Sequence, residues 1–323
     1  MNGYSYCVPP TSEAEEEMSM TEPFRKILNP VDFDENSLAT LVYAGQLARQ
    51  NEGTVYLMHV VPTEKIYLLR EVYRPEEGGG ADPLWAEKVA QEKLQEIARE
   101  RLGGVRCEIL MRGSDDPAKT ILETERKLGA DLVVMATHGR TGFFHLVLGS
   151  VAEKVVRESS CPVLTIRRRE EPSMVGPFGK ILSPVDFDEN SLAALDLVRQ
   201  FAQQNNGTVY LLHVVPTDEI HLHREVYRPE EGGGADPVWA EKVTKEKLQR
   251  IAHERLSDGI RCQILTRIGD AAKTILEVER EVGADLVVMA THGRTGISHF
   301  ILGSVAERMV RESSCPVLTI RRR

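Results

Sequence analysis

A chain of 323 residues, 41% of them hydrophobic, is long enough for two domains of ordinary size with a core in each. Its formal net charge of -9 argues against sequence-independent binding of nucleic acid, because that binding requires a basic surface. No apolar run approaches the length of a membrane span or of a signal peptide, and five cysteines without a C-x-x-C spacing suit a reducing compartment. We therefore predict a soluble, cytoplasmic protein that partners neither nucleic acid nor a membrane.

Apolar runs and helical patterns alternate along the chain in the order of an α/β domain. Continuous apolar runs indicate strands that are covered on both faces, and apolar residues at helical spacing behind capping residues indicate helices. In chain order we predict strand 25–32, helix 34–50, strand 54–61, helix 85–102, strand 105–110, helix 116–128, strand 131–136, helix 150–159 and strand 162–166. Short turns between these elements predict a Rossmann-like, doubly wound parallel sheet of five strands.

The same unit occurs a second time, from Lys180 to Ile320. The segment ATHGRTGFFHLVLGSVAE at 136–153 returns as ATHGRTGISHFILGSVAE at 290–307. Such self-similarity indicates a duplicated unit, so the fold class is α/β with two tandem five-stranded parallel sheets related by a pseudo-two-fold axis. The predicted parts are a disordered acidic tail (1–22), a first domain (23–168), a linker (169–178) and a second domain (179–323).

Two segments with candidate functional residues directly follow strands in each unit. Asp32 lies at the end of the first strand in NPVDFDEN, and THGRTG follows the fourth strand. In open α/β sheets, ligands bind beyond the carboxyl ends of the strands where the winding direction reverses. If the first and fourth strands are neighbours, both segments meet at that crevice. Asp186 and the second THGRTG predict an equivalent crevice in the second unit.

The THGRTG segment has the composition of a phosphate-binding loop. Gly139 and Gly142 let the main chain approach a phosphate closely, and Arg140 adds a charge-assisted contact. The S-x-x-E spacing of Ser150 and Glu153 predicts a capping box at the next helix, whose N–H groups and dipole favour a phosphate. The alternative is a glycine-rich loop that only turns the chain, with Ser150 as a plain helix cap. Two near-identical copies favour the phosphate loop.

The spacing of Gly139 and the pair Gly149 and Ser150 resembles the ATP-binding signature of the universal stress protein family, G-x2-G-x9-G-[ST]. The second unit resembles it equally, and the aspartate after the first strand and the LMHVV and LLHVV strands agree as well. The chain after residue 23 is thereby identified as a tandem, two-domain member. The sequence departs from the signature at its first glycine, which is replaced by Ala136 and Ala290. Because alanine is small, we expect it to be tolerated there.

This resemblance implies an adenine nucleotide alpha hydrolase-like fold and one site for ATP or AMP in each domain, with Mg²⁺ as an associated metal. Asp32 and Asp186 would contact the ribose or that metal. Val60 and Val214 would offer backbone groups to adenine, and the glycines with the serine after them would surround the phosphates. The candidate binding residues are Pro30, Val31, Asp32, Val60, Ala136, Thr137, His138, Gly139, Arg140, Gly142, Gly149, Ser150 and Val151 in the first domain, and Pro184, Val185, Asp186, Val214, Ala290, Thr291, His292, Gly293, Arg294, Gly296, Gly303, Ser304 and Val305 in the second. We predict no catalytic residue and no metal site of the protein's own.

Members of the family are commonly dimers whose last strands pair across the interface. The resemblance therefore suggests that the two halves pair internally, through PVLTI at 162–166 and PVLTI at 316–320. A homodimer and an unknown protein partner remain open. The leading hypothesis for function is a stress-response regulatory protein that binds adenine nucleotide. The alternatives are a slow ATPase or phosphotransferase, although no general base stands out, and an interaction scaffold without a ligand.

A long loop is unchanged between the two units. REVYRPEEGGGADP is identical at 70–83 and 224–237, whereas the helix surfaces of the two units have diverged. Because long loops usually vary more than the elements they join, the identity favours a role in binding. A recent local gene conversion is the alternative.

Overall fold

A computed structural model describes residues 24–63, 83–137, 148–167, 178–216, 237–256, 259–291 and 302–321. The predicted acidic tail, most of the predicted linker and all but the last residue of each REVYRPEEGGGADP copy lie outside these ranges. No helix within them is both long and apolar enough to cross a membrane.

The described residues of each half form five strands and four helices in the same order. The first half contains β1 (Lys26–Pro30), α1 (Glu35–Gln50), β2 (Thr54–Val61), α2 (Pro83–Arg101), β3 (Arg106–Gly113), α3 (Pro117–Leu128), β4 (Leu132–Ala136), α4 (Ser150–Glu158) and β5 (Val163–Ile166). The second half contains β6 (Lys180–Pro184), α5 (Glu189–Asn205), β7 (Thr208–Val215), α6 (Pro237–Leu256), β8 (Arg261–Ile268), α7 (Ala271–Val282), β9 (Leu286–Ala290), α8 (Ser304–Glu312) and β10 (Val317–Ile320). The predicted elements are confirmed. Strand β3 runs past its expected end at Leu110 because its ladder with β2 continues to the pair Val61 and Gly113.

Capping side chains mark the starts of α1 and α3. At the start of α1, the Asp34 carboxylate accepts a hydrogen bond from the Ser37 N–H at 2.7 Å. The Asp116 carboxylate accepts from the Lys119 N–H at 3.0 Å at the start of α3. Helix α3 ends at Gly129, whose φ of 59° is the left-handed conformation that glycine adopts without strain. Both helices therefore start next to residues 34 and 116, where the sequence predicts them to begin.

The ten strands form one sheet with the order β3-β2-β1-β4-β5-β10-β9-β6-β7-β8. All neighbours within a half are parallel, and the winding direction reverses between β1 and β4 and again between β6 and β9. Helices α1 and α2 contribute to the core on one face of the sheet, and α3 and α4 to the core on the other. The predicted doubly wound α/β fold is confirmed, with both halves in a single sheet.

The two halves join along an antiparallel seam between β5 and β10. Leu164 faces Leu318 at its centre, and both side chains are completely buried. The threonine after each of these leucines donates its hydroxyl to a carbonyl of the opposite strand, at 3.1 Å and 3.2 Å. The internal pairing of the two PVLTI segments is therefore confirmed. Since the pairing is antiparallel, the halves are related by a pseudo-two-fold axis.

Helices α1 and α5 reinforce this seam. The ring of Phe24 has its centroid 5.7 Å from that of Phe201 in α5, and the ring of Tyr43 in α1 lies 6.3 Å from that of Phe178 in the other half. At the helix ends, the Gln204 amide donates to the side-chain oxygen of Asn51 at 2.8 Å. Apolar contact and hydrogen bonding thus extend the union of the halves beyond the two central strands.

The centres of the two halves differ in one buried polar contact. The Asn29 amide of β1 donates to the Thr40 hydroxyl at 2.8 Å and to the Val134 carbonyl at 2.9 Å. At the corresponding positions of the second half stand Ser183 and Ala194, and within the described residues the Ser183 hydroxyl is buried without a hydrogen-bond partner. A buried polar group without a partner opposes folding.

We therefore expect opposite effects from two substitutions that each remove one hydroxyl. Ser183→Ala should raise the free energy of unfolding by about 1 kcal/mol, and Thr40→Val should lower it by about 1 kcal/mol because Asn29 loses a partner. Urea denaturation of the full chain measures both. A loss of stability in Ser183→Ala would show that its hydroxyl is satisfied after all.

The described cysteines are free thiols that burial protects from reaction. Burial raises the pKa of Cys262 to about 11 and also raises the pKa of Cys107 and of Cys161. At pH 8 only about one Cys262 in a thousand is the reactive thiolate. In a Cys7→Ser background, iodoacetamide should therefore modify the folded protein far more slowly than the protein in urea. Rapid adducts on Cys262 in the folded protein, detected by mass spectrometry, would contradict this expectation.

Candidate nucleotide-binding site

The pairing of β1 with β4 places the two predicted segments at one edge of the sheet. Leu28 of β1 is opposite Val133 of β4, and Asp32 follows β1 as Thr137 follows β4. In the second half, Leu182 is likewise opposite Val287. The expectation that the first and fourth strands are neighbours is thus confirmed, and the crevice lies where the winding direction reverses.

The structure describes part of each candidate site. Described are Pro30, Val31, Asp32, Val60, Ala136, Thr137, Gly149, Ser150 and Val151, with Pro184, Val185, Asp186, Val214, Ala290, Thr291, Gly303, Ser304 and Val305 in the second half. Outside the described residues lie His138, Gly139, Arg140, Gly142, His292, Gly293, Arg294 and Gly296. The roles predicted for these eight remain predictions.

The two ends of the predicted phosphate loop are held together at the edge of the sheet. The Thr137 N–H donates to the Ile166 carbonyl at 3.1 Å, which ties the end of β4 to β5. The Gly149 N–H donates to the Thr137 carbonyl at 2.9 Å. The start of α4 is therefore adjacent to the end of β4. In the second half, the Gly303 N–H bonds the Thr291 carbonyl at the same distance of 2.9 Å.

The predicted capping box at α4 is wrong. The N-cap is Gly149, in an extended conformation with φ −65° and ψ 137°, and its helix has no side-chain capping bond. Ser150 already has helical conformation, one residue inside the helix, so its hydroxyl is not in the N-cap position that a capping box requires. Glu153 donates its N–H to the Gly149 carbonyl at 2.9 Å and pairs its carboxylate with Arg157.

The start of α4 is better suited to a phosphate when Ser150 does not cap it. The first N–H groups of a helix have no partner within the helix. At α4 they belong to Ser150, Val151 and Ala152, and no side chain of a described residue caps them. Gly303 begins α8 in the same manner, with φ −61° and ψ 141°. The positive end of each helix dipole is thus next to the end of a central strand.

The turn after β1 fixes the Asp32 carboxylate. The Asp32 N–H donates to the Ser37 hydroxyl at 3.2 Å, and Asp32 Oδ1 accepts from the Asp34 N–H at 3.2 Å. The matching distances for Asp186 are 3.3 Å and 3.2 Å. These bonds place two carboxylates in one turn, and the second of them, Asp34, was not among the predicted site residues.

Burial raises the pKa of Asp34 above its ordinary value, the hydrogen bond from the Ser37 N–H opposes that shift, and the negative charge of Asp32 adds to it. Asp188 has a raised pKa for the same reasons, with Asp186 as its neighbour. A cation or hydroxyl donors would relieve this repulsion between carboxylates. Among the described residues, no group of three or more His, Cys, Asp or Glu side chains is placed to hold a metal ion.

The backbone of Val60 faces the space beyond the end of β1. The Val31 N–H donates to the Met58 carbonyl at 2.8 Å, and the Ser114 N–H donates to the Val61 carbonyl at 2.9 Å. The backbone N–H and C=O groups of Met58 therefore point towards β1, and those of Val61 point towards β3. Because these directions alternate along a strand, the N–H and C=O of Val60 point towards the β1 side, past the last residue pair of that ladder. This placement suits the contact with adenine predicted for Val60.

Comparison with known proteins agrees with the motif. The sequence model of the Universal stress protein family matches residues 23–167 and 177–321. A universal stress protein of Methanocaldococcus jannaschii is 30% identical over 157 residues, which cover 45% of this chain and 96% of that protein. A universal stress protein of Mycolicibacterium smegmatis is 22% identical over 317 residues, which cover 92% of this chain and 97% of that protein.

A solved structure supports the fold over both halves. The crystal structure of a universal stress protein from Archaeoglobus fulgidus superposes with a TM-score of 0.65 at 22% sequence identity. The superposition covers 94% of this chain and 98% of the other. Both halves, and their arrangement in one chain, therefore have a counterpart among known structures.

Proposed function

The chain belongs to the universal stress protein family, and from this premise we propose that it is a cytoplasmic stress-response regulator that binds adenine nucleotide. Each half would hold one molecule of ATP or AMP at the edge of the sheet. The bound nucleotide would act as a signal rather than a substrate.

Three places among the described residues suit three different groups of a nucleotide. The start of α4, which has no side-chain cap within the described part of the chain, offers N–H groups and a positive dipole to phosphates. The carboxylates of Asp32 and Asp34 suit ribose hydroxyls or a Mg²⁺ ion that arrives with the phosphates. The open backbone of Val60 suits the polar edge of adenine. A nucleotide carries all three kinds of group, whereas inorganic phosphate carries one.

The observation that carries the proposal is a helix start beside the end of a central strand that no side chain of a described residue caps, present in both halves. Gly149 and Gly303 begin their helices in the same extended conformation, and each bonds the threonine that follows the central strand. The N–H groups of such a helix start suit an anionic acceptor, and the signature residues around it would supply the remaining contacts of a phosphate site.

The direct test counts nucleotides in the full-length protein. Small molecules released from the denatured protein would be identified by mass spectrometry, and ATP and AMP would be titrated into nucleotide-free protein by calorimetry. We expect two adenine nucleotides per chain. Asp32→Ala should weaken one site and Asp186→Ala the other. Asp131→Ala is a matched control, since it removes an equal charge at the opposite end of β1, where Asp131 accepts from the Lys26 N–H at 2.7 Å.

The same measurements separate the alternative functions. Steady conversion of bound ATP to ADP that Asp32→Ala abolishes without loss of binding would favour the slow ATPase. Failure of the protein both to retain and to bind ATP or AMP would contradict the proposal and favour the scaffold.

A further inference from the structure

A buried histidine contacts the residues on both sides of Asp32. His59 lies in β2 and is almost completely buried. Its Nδ1 is 2.7 Å from the Val31 carbonyl oxygen. Because a carbonyl only accepts, Nδ1 must carry the proton and donate it. The imidazole ring also lies 4.3 Å from the ring of Phe33, centroid to centroid. Asp32 is thus flanked by two residues that the same histidine holds.

Phe33 has a backbone conformation that phenylalanine rarely adopts. Its φ is 68°, in the left-handed region where a side chain is crowded. Such a conformation persists only where surrounding contacts impose it, and it occurs preferentially at functional sites. Here the contacts are the His59 ring and the ammonium of Lys93 from α2, which lies 5.7 Å from the Phe33 ring centroid.

The second half repeats this arrangement. His213 Nδ1 is 2.7 Å from the Val185 carbonyl oxygen, and its ring is 4.3 Å from that of Phe187. Phe187 also has a φ of 68°, and the Lys247 ammonium lies 4.0 Å from its ring centroid. The arrangement therefore recurs in both halves, although the Asn29 amide bonds at the centre of the first half do not.

His59 is next to a residue predicted to contact adenine and contacts the neighbours of a residue predicted to contact the ribose. The residue after His59 is Val60, whose backbone faces the place predicted for adenine. Its two contacts, Val31 and Phe33, flank Asp32, which is predicted to contact the ribose or a metal. Displacement of the imidazole would therefore change the spacing between the groups that hold the base and the groups that hold the sugar.

We propose that His59 and Phe33, and His213 and Phe187 in the second half, are positioning residues for the nucleotide sites. The histidine fixes the aspartate turn against the neighbouring strand, and the phenylalanine ring anchors that turn to the histidine and to the lysine of the following helix. This inference rests on the proposed function, and it assigns the histidine no contact with the nucleotide.

The test compares His59→Leu with His59→Asn in the full chain. Asparagine places an amide N–H close to the position of the imidazole Nδ1, whereas leucine fills the volume without a donor. Calorimetric titration with ATP should show about 10-fold weaker binding at one site in His59→Leu, as the loss of one positioning hydrogen bond would cause. His59→Asn should bind within about 3-fold of the unchanged protein. Affinity in His59→Leu equal to that of the unchanged protein, or equal loss in both variants, would overturn the proposal.

Hydrogen exchange tests the positioning role independently of any nucleotide. Backbone amides of the turn, including those of Asp34 and Ser37, should exchange faster in His59→Leu than in His59→Asn. If the unchanged protein binds no ATP or AMP, the proposed function fails, and this comparison alone decides the positioning role. Equal exchange in the two variants would then overturn it.

A second variant covers the case in which His59→Leu does not fold. Phe33→Gly adopts a positive φ without strain and so preserves the turn, but it lacks the ring that the histidine and lysine contact. We expect about 10-fold weaker ATP binding at one site with a normal thermal unfolding transition. Unchanged binding in Phe33→Gly would show that the ring has no positioning role.

Discussion

Leu164→Ala is expected to remove about 3 kcal/mol of the free energy of unfolding, because a fully buried leucine is replaced at the centre of the seam between the halves. Leu164 faces Leu318, and neither side chain is exposed to solvent. The cavity would lie between β5 and β10, where four-residue strands have little freedom to collapse around it. Urea denaturation of the full chain measures this loss.

Two further variants make this measurement specific to the seam. Val42→Ala in α1 is the control, because its side chain is 45% exposed and its truncation should change stability by less than about 0.5 kcal/mol. Leu164→Ala combined with Leu318→Ala should depart from additivity, since the two side chains face each other. A loss below about 1 kcal/mol in Leu164→Ala, or strict additivity in the double variant, would contradict a tightly packed seam.

The sequence predicts the elements, and the edge of the sheet at which the candidate site residues meet, because both depend on local patterns. A buried parallel strand is a continuous apolar run, and the aspartate that directly follows such a run must lie at the carboxyl edge of the sheet. The union of the halves was predictable from the family resemblance, since PVLTI ends each unit and the last strands of that family commonly pair across a dimer interface. The seam at Leu164 and Leu318 is the result.

Backbone conformation explains what the sequence could not predict. The S-x-x-E spacing at Ser150 does not indicate whether the serine precedes the helix or is its first residue. In the structure, Gly149 is the extended N-cap, so Ser150 is the first residue of the helix. The left-handed Phe33 has no sequence signal, because propensity alone disfavours it and contacts with His59 override that propensity. Both features follow from tertiary contacts between segments that are distant in the chain.

Ser150→Asp is expected to maintain or slightly raise thermal stability and to lower the affinity for ATP. Ser150→Asp adds a negative charge to the first turn of α4, where the dipole favours it by about 0.5 kcal/mol, so thermal stability should be unchanged or slightly higher. The same charge would face the phosphates of a bound nucleotide. Repulsion between a carboxylate and a phosphate that bind at the same helix start is worth about 2 kcal/mol or more. ATP affinity at this site should therefore fall by about 30-fold or more.

Calorimetry on the full chain separates the two sites in this experiment. Ser150→Asp should leave one site per chain with unchanged affinity, and Ser304→Asp should leave the other, because the helix starts at Gly149 and Gly303 have the same conformation. Ser150→Ala is the matched control, and its loss of one hydroxyl should weaken ATP binding by no more than about 10-fold. Two sites of unchanged affinity in Ser150→Asp would place the phosphates away from α4. Lower thermal stability in Ser150→Asp would instead contradict a helix start without a cap from the described residues, since a carboxylate is favourable next to N–H groups that lack an acceptor.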